Sequence, residues 1–544
     1  MSAQDKVQTT NPQNRVPISI MDTTLRDGEQ THGVSITGPE KLMIAQRLLG
    51  EVKVDRIEVA SCRVSQGEQK SLARIMEWAE KYSHGDQVEV LSFTDHKASV
   101  DWLREAGCRR MNLLTKGSRK HCEGQLRKTL SEHLADIEKT LQYAVDQGVT
   151  SCIYLEDWSN GALNSPDYVW EMIDQLAKWP FERIHLCDTL GILSPAEVEA
   201  AVGETLRRYP KSLFEFHGHN DYGLATANSL KAAQLGAAGL HVTVNGLGER
   251  AGNASLAEVT ANLRDHTNRE CRVDETALKS ISRLVETFSG KRIAGNAPIT
   301  GNDVFTQTAG IHADGDKKGN LYESRLTPHR FGRDRVYALG KLSGRSNLDF
   351  NLSKLEMDLT PEQRKAVLDK IIELGDKKKI VTTEDLPFLI ADLMMSPEQM
   401  EFKVLDCVIT TTLGMSPSAN VKIRYRDKEY EALANGSGGF DAFVTALRKL
   451  APELGFHVPK LEDFELHIPP GGRTNALVEC TISWEGGMKT RAVSSDQVLS
   501  AVKATERMIN LMLHRRRKES GEAPFGAPPE MPRDVAEKPT PVTT

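Results

Sequence analysis

Val16-Pro17-Ile18-Ser19-Ile20-Met21-Asp22-Thr23-Thr24-Leu25-Arg26-Asp27-Gly28-Glu29-Gln30 is an extended apolar approach that runs straight into a knot of charge. An open, doubly wound sheet would need a Gly-rich phosphate loop, G-x-G-x-x-G, after its first strand. The first strand here leads into LRDGEQ instead. A closed barrel asks that functional side chains gather at the C-terminal ends of its strands. Arg26 and Asp27 stand at such an end.

Seven more β-rich runs continue the pattern: Asp55–Ala60, Val88–Phe93, Arg110–Thr115, Ser151–Leu155, Arg183–Cys187, Phe214–His219 and Leu240–Asn245. Each is separated from the next by enough chain for a helix and two loops. Such alternation means parallel strands under covering helices, and eight units in about 250 residues is the size of a (β/α)8 TIM barrel. Glu156, Thr189, His217, His219 and Asn245 also fall at or just past the ends of runs.

Beyond about residue 265 helical patterns dominate, including Glu275–Phe288 and Pro361–Asp376. Gly310–Tyr322 and Leu339–Arg345 between them are polar and Gly-rich, and composition alone makes them solvated connectors. Asn420–Tyr425 and Glu429–Leu433 read as strands before a helix at Asp441–Leu450. Ala476–Trp484, Lys489–Val493 and a helix at Gln497–Leu513 echo them. The predicted division is therefore a disordered tail (1–15), the barrel (16–285), a helical connector (286–401), a duplicated α+β regulatory or dimerising domain (402–513) and a second disordered tail (514–544).

The whole chain has 544 residues, too many for one ordinary core, and its 39% hydrophobic and 26% charged residues are a globular profile. A net charge of −6 argues against a polyanion-binding surface, so nucleic acid is not an expected partner. No run approaches the ~20 apolar residues that cross a bilayer, and the first fifteen residues lack a signal peptide's apolar stretch. The expected location is cytoplasmic. The eight cysteines form no C-x-x-C pair and predict neither a zinc ribbon nor a disulfide framework.

A divalent metal that holds an oxygen-rich substrate wants carboxylate and imidazole ligands on rigid elements, with coordination positions left open. Asp27 from the first run and His217 and His219 from the seventh offer an O, N, N set, the two histidines sharing one strand face. An isolated H-x-H pair is as readily two structural histidines, but the companion Asp27 and the adjoining Asn220-Asp221 favour a metal. Asn253 is a further oxygen ligand, a residue that positions a ligand-bound water, or a helix-start residue in a Gly-rich loop. Arg26 has no lone pair to give a metal; it can stabilise negative charge on a substrate oxygen, pair with Glu58 or Glu156, or do both, with Glu156 the expected partner.

TTLRDGEQ, HGHND and NGLGERAGN, in this order, resemble the signature of the acyl-CoA-condensing metal enzymes that include 2-isopropylmalate, homocitrate and citramalate synthases. The resemblance covers about residues 16–513. It is nearest to the citramalate branch through IEVASCRVSQGE, NLLTKGS, YLEDWSNG, FHGHNDYGLA and VFTQTAGIHADGDKKGNLY. It implies a metal (Mn, Mg or Zn) on Asp27, His217 and His219, with acetyl-CoA and pyruvate as substrates. Arg26 and Glu156 would serve catalysis, and Thr189 would hold the keto acid's carboxylate. His312 and Tyr322 would reach the acetyl-CoA site, with His312 the first candidate base. Leu91, Leu114 and Tyr154 match the positions that close over pyruvate's methyl; otherwise they are ordinary barrel-layer residues.

The resemblance also implies a homodimer and an amino-acid effector, isoleucine for a citramalate enzyme and leucine for an isopropylmalate enzyme. Phe440, Asp441 and Gln497 occupy equivalent places in the two echoes and are the effector-site candidates, with helix capping the competing reading for that motif. A lyase of the hydroxymethylglutaryl-CoA type shares the metal set but lacks the duplicated domain.

Overall fold

The computed structural model describes residues 15–520 apart from 356, 377–380, 382–385, 387–388, 391–399, 468–477, 487 and 495. Its eight N-terminal runs are the strands of a closed parallel barrel: β1 (Ser19–Asp22), β2 (Arg56–Ser61), β3 (Val88–Phe93), β4 (Arg110–Lys116), β5 (Thr150–Glu156), β6 (Ile184–Asp188), β7 (Phe214–Gly218) and β8 (Gly239–Val242). Closure is made by β1, which pairs with β8 from Ser19 opposite Gly239 to Asp22 opposite Val242, and with β2 on its other edge.

Alternation along these strands sorts two environments. Ile20, Ile57, Val59, Val90, Leu113, Ile153, Leu155, Leu186, Phe214, Phe216, Leu240 and Val242 pack beneath the covering helices in one apolar cluster. Full burial of each such side chain contributes about 1.5–3 kcal/mol. The intervening residues face the barrel axis and are mostly polar: Arg56, Glu58, Glu89, Asn112, Tyr154, His185, Glu215 and His241 are all buried. They persist there because they pair across the barrel, Arg56 with Glu215 at 2.5 Å and with Glu89 at 3.2 Å, and Arg183 with Glu89 at 2.8 Å. A Cβ on Gly239 would fall 2.6 Å from Glu215 Oε1, so β8 passes this carboxylate only as glycine.

The chain forms two compact units, residues 1–306 with 323–336, and 307–322 with 337–544. In the second unit the Gly310–Tyr322 passage is not a loop: Gly310–Gly319 is a helix. Its glycines, which make it read as a connector, serve close packing. A Cβ on Gly310 would lie 2.7 Å from the Gly344 backbone nitrogen, and one on Gly315 would lie 2.5 Å from the Tyr322 ring. Leu339 and Ser343 are buried, so Leu339–Arg345 is also partly core, whereas Leu342 is exposed. The helix Pro361–Asp376 forms as predicted.

The C-terminal echo is larger than the sequence predicts. Each half is three antiparallel strands and a helix: Phe402–Thr410, Ser418–Tyr425, Lys428–Asn435 and helix Gly439–Leu454, then Leu461–His467, Val478–Trp484, Met488–Ser494 and helix Gln497–Ser520. The two unforeseen strands are sheet edges, and their charges (Asp406; Glu462, Asp463, Glu465), which hide them in the sequence, suit an edge. The last helix runs past Leu513 to Ser520, into the stretch assigned to a tail. Residues 1–14 and 521–544, the remainder of the two expected tails, lie outside the described residues. No helix among the described residues is long and apolar enough to cross a membrane.

Candidate active site

The turn after β1 brings Asp27 to the mouth of the barrel, where it is buried. Its Oδ2 lies 3.2 Å from His217 Nε2 and 3.7 Å from His219 Nε2. Three donor atoms, one from each residue, fall within 4.8 Å of one another. Asp27 Oδ1 is buried without a hydrogen-bond partner. Burial alone would push this carboxyl up, but the adjoining Arg26 guanidinium and the two imidazoles hold it well below the usual carboxylate range. Burial drives His219 down to about 4, leaving its imidazole neutral and able to coordinate.

Asn253 joins this group through the loop after β8. That loop pairs with the end of β7, His219 opposite Asn253, with Asn220 N–H donating to Gly252 O at 2.8 Å. Asn253 Nδ2 donates to Leu247 O at 3.0 Å, which leaves Oδ1 buried and without a partner. A buried anionic oxygen and a buried amide oxygen, both unsatisfied beside two buried imidazoles, fit a hard or borderline divalent cation with open positions.

Arg26 is beside Asp27, 3.4 Å from its carboxylate, but Glu156 is not its partner. Arg26 Nε donates to Glu58 Oε2 at 2.5 Å, while Glu156 is held by a buried lysine, Lys116. The reason is register: Lys116 and Glu156 are directly opposed on β4 and β5, so the nearest cation to Glu156 is on its neighbouring strand. Asn112 Nδ2 completes the Glu58 cage at 2.8 Å.

Tyr154 and Leu91 are buried with Met21 and Cys187 in a small cluster inside the barrel, with Leu114 at its edge. The Tyr154 hydroxyl lies 3.4 Å from Arg26 Nη2. The Thr189 hydroxyl accepts the Asp157 N–H at 2.8 Å. Asn245, expected among the strand-end functional residues, is turned away. Its backbone is left-handed (φ 59°), its Nδ2 donates to Ser282 O at 2.9 Å, and its Oδ1 accepts from Ser282 Oγ at 2.6 Å.

His312 and Tyr322 belong to the second unit, where their rings lie 4.2 Å apart. The Tyr322 N–H donates to Asp316 Oδ1 at 3.1 Å. Of the effector candidates, Phe440 packs 5.2 Å from Phe464. Asp441 accepts from Ser437 N at 2.8 Å and Ser437 Oγ at 3.0 Å, which is a helix-start bond. Gln497 is exposed at the start of its helix, and the nearby Ser495 lies outside the described residues.

Three positioning groups, Lys116, Lys41 and Arg250, carry no sequence signal that singles them out beforehand or carry one that is easily passed over, and Glu58 is marked only as one of two possible partners for Arg26. Glu58 and Lys116 are strand residues whose partners are distant in the chain. Lys41, wholly buried, bonds Glu29 and Glu68 at 2.6 Å each and so pins the turn that carries Asp27. Arg250 grips Asp221 at 2.8 and 2.9 Å and donates to Thr189 O at 2.7 Å, tying the loops after β6, β7 and β8. In GERAGN the arginine carries as much signal as the asparagine.

Three family models match the chain in order: HMGL-like over residues 17–285, homocitrate synthase post-HMGL domain-like over 299–379, and LeuA allosteric (dimerisation) domain over 380–513. A putative (R)-citramalate synthase from Methanopyrus kandleri is 32% identical, the alignment covering 92% of this chain and 97% of that one. A probable 2-isopropylmalate synthase from the same organism is 34% identical over 92% and 99%. The (R)-citramalate synthase of Methanocaldococcus jannaschii is 31% identical over 91% and 100%. With about a third of its residues shared along nearly the whole of these relatives, and the three segments in one order, the chain belongs to the enzyme family of citramalate and 2-isopropylmalate synthases, an HMGL-like barrel followed by a LeuA dimerisation domain.

Proposed function

We propose that this enzyme condenses acetyl-CoA with pyruvate and hydrolyses the thioester, giving (R)-citramalate and CoA. The observation that carries the reading is the buried Asp27, His217 and His219 set with Arg26 beside it, above a floor closed by Tyr154, Leu91 and Leu114. Asp27, His217, His219 and, through its unsatisfied oxygen, Asn253 would hold the divalent metal on which the HMGL-like family depends. Bound there, the cation would supply Lewis-acid polarisation of a keto acid's carbonyl. Manganese, magnesium and zinc all suit this donor set.

Arg26 stabilises the oxygen on which negative charge grows, and Glu58 keeps the guanidinium aimed. Thr189 binds the keto acid's carboxylate. His312, with the Tyr322 ring 4.2 Å from its own, is the first candidate to take the proton from the acetyl methyl, and Glu156, anchored by Lys116, is the alternative base. Residues 16–285, 286–401 and 402–513 are assigned as barrel, connector and regulatory domain. The last is proposed to form a homodimer and to bind isoleucine near Phe440, Asp441 and Gln497, which places the enzyme in isoleucine biosynthesis.

A 2-isopropylmalate synthase, using 2-ketoisovalerate and answering to leucine, is the second reading, favoured by the 34% identity to such a relative. One or two extra methylenes are worth only about 1–3 kcal/mol in an apolar pocket, so a bulky Tyr154 is the device expected to exclude them. The test is CoA thiol release from acetyl-CoA with pyruvate, 2-ketoisovalerate or 2-ketoglutarate. Pyruvate is expected to be preferred, and activity confined to 2-ketoisovalerate overturns the assignment. Tyr154→Ala is expected to widen the accepted keto acids; an unchanged profile removes Tyr154 from the pocket.

A further inference from the structure

Below the metal set the barrel holds a second cluster, His185, Glu215 and His241, all buried, with donor atoms within 4.8 Å of one another. It has a metal's ligand types, but its charge is already balanced. Glu215 Oε1 accepts from Arg56 Nη2 at 2.5 Å and lies 3.5 Å from Arg183 Nε, and both arginines also pair with Glu89. A dication added there would leave two uncompensated positive charges among buried groups. The cluster asks for another role.

Hydrogen bonding assigns it. Glu215 Oε2 lies 3.0 Å from His241 Nε2. A carboxylate paired with arginine only accepts, so His241 Nε2 carries the hydrogen and Nδ1 keeps a lone pair. That Nδ1 is 3.2 Å from the Tyr154 hydroxyl. Tyr154 has one proton and two acceptors in reach, His241 Nδ1 and Glu58 Oε2 at 3.3 Å. Glu58 Oε2 is satisfied by Arg26 Nε at 2.5 Å without that proton, whereas the 3.2 Å contact between the Tyr154 oxygen and His241 Nδ1, which has no hydrogen of its own, can be a bond only if the Tyr154 proton lies in it. With its proton turned down toward His241, the Tyr154 oxygen presents lone pairs to Arg26 Nη2 at 3.4 Å. Donation runs in one sense, from Arg26 to Tyr154 to His241 to Glu215, and ends where Arg56 holds the last carboxylate.

We propose that His241, oriented by Glu215, is a positioning residue for the keto-acid pocket: by accepting the Tyr154 hydroxyl it fixes the pocket floor and the second face of Arg26, and so helps to set which keto acids are turned over. The inference rests on the condensation reading for its kinetics, but the direction of the hydrogen bonds stands apart from it.

The kinetic test compares His241→Leu, which removes the acceptor, with His241→Asn, whose side-chain oxygen can stand near the Nδ1 position. Both are made in the wild-type chain and with Tyr154→Phe. His241→Leu is expected to lower kcat with pyruvate about tenfold or more, with KM for acetyl-CoA unchanged, and to narrow the preference for pyruvate over 2-ketoisovalerate. His241→Asn is expected to recover most of the loss, and with Phe at 154 His241→Leu should add less than about threefold, since the bond is already gone. Equal losses in both backgrounds, or no recovery with asparagine, overturn the proposal.

Independently, the 15N spectrum of histidine-labelled wild-type protein, assigned by the signal lost in His241→Asn, should show the Nε2–H tautomer; the Nδ1–H tautomer refutes it. Metal analysis should find no ion that is lost in His241→Asn and kept in Asp27→Asn; such an ion would make the cluster a metal site and also refute it. If the wild type turns over no keto acid, the condensation reading fails, and the nitrogen spectrum still decides the hydrogen-bond chain.

Discussion

Replacing Glu58 puts the aim of Arg26 to a quantitative test. Glu58 is wholly buried and accepts from Arg26 Nε at 2.5 Å and from Asn112 Nδ2 at 2.8 Å. Glu58→Ala takes the nearer of two carboxylates from a guanidinium that is itself only 9% exposed, leaving Asp27 at 3.4 Å, and leaves the Asn112 amide without that acceptor. Breaking one side of a buried ion pair costs about 3–5 kcal/mol, and an unsatisfied buried amide about 1–3 kcal/mol. Because the two losses share one site they will not add fully, and about 4–5 kcal/mol is the expected total. At roughly 2–4 °C per kcal/mol for a domain of this size, the barrel should melt about 8–20 °C lower.

Glu58→Gln separates charge from shape. It keeps an acceptor for Arg26 but not the negative charge, and is expected to cost about 1–3 kcal/mol. The next carboxylate to the guanidinium is Asp27 at 3.4 Å, so Arg26 should lean on the oxygen that would bind the metal. Apparent metal affinity, measured by competition with a chelator dye, should fall about tenfold, equivalent to about 1.4 kcal/mol. Wild-type melting together with wild-type metal affinity in Glu58→Gln would refute the reasoning that Glu58 keeps Arg26 off Asp27.

Chelation should abolish thiol release, a divalent salt should restore it, and Asp27→Asn should bind metal at least about tenfold more weakly by the same dye competition. Gly252→Ala should resemble a ligand mutant although it removes no donor: Gly252 has φ 87° and its Cβ would fall 1.9 Å from Gly246 O, so the loop must shift Asn253, and a metal titration unchanged from wild type would count against this. His133 gives a pH signature away from the metal set. Burial lowers it from 6.5 to about 4, opposed by Asp136 and helped by Lys116 and Lys128, so the unfolded chain takes up its proton first as pH falls. This contribution is complete above about pH 6.5 and fades toward pH 4, losing about 2 kcal/mol between pH 7 and 5. Urea midpoints should show His133→Gln losing less stability over that interval than wild type.

The barrel is legible because β-rich runs separated by helix-length stretches repeat eight times, and several of the runs end in polar or charged residues. Asp27, His217 and His219 are legible for the same reason, since a strand end is a place the sequence marks. Pairing at long range stays hidden. Arg56 meets Glu215 across 159 residues, and Arg26 meets Glu58 rather than Glu156, because partners inside a barrel are chosen by register and tilt, which periodicity does not report. The same lack of three-dimensional context makes the helix Gly310–Gly319 read as a loop, since only the fold reveals that its glycines are contact points for Gly344 and Tyr322.

The polar interior also limits what the site can tolerate. An apolar barrel core absorbs a substitution by local repacking, whereas a core of paired charges transmits it, because each group left unpaired must find another partner. Arg26 is where this matters: it touches Asp27, Glu58 and Tyr154, and Tyr154 leads down through His241 and Glu215 to Arg56. A change at Arg56, on the lower layer of the barrel, therefore frees Glu215 to hold His241 differently, and its effect should be felt at Tyr154 and the proposed keto-acid pocket rather than only in stability. On the proposed assignment, substrate preference is then a property of the whole axial column, of which Tyr154 is the member that meets the pocket.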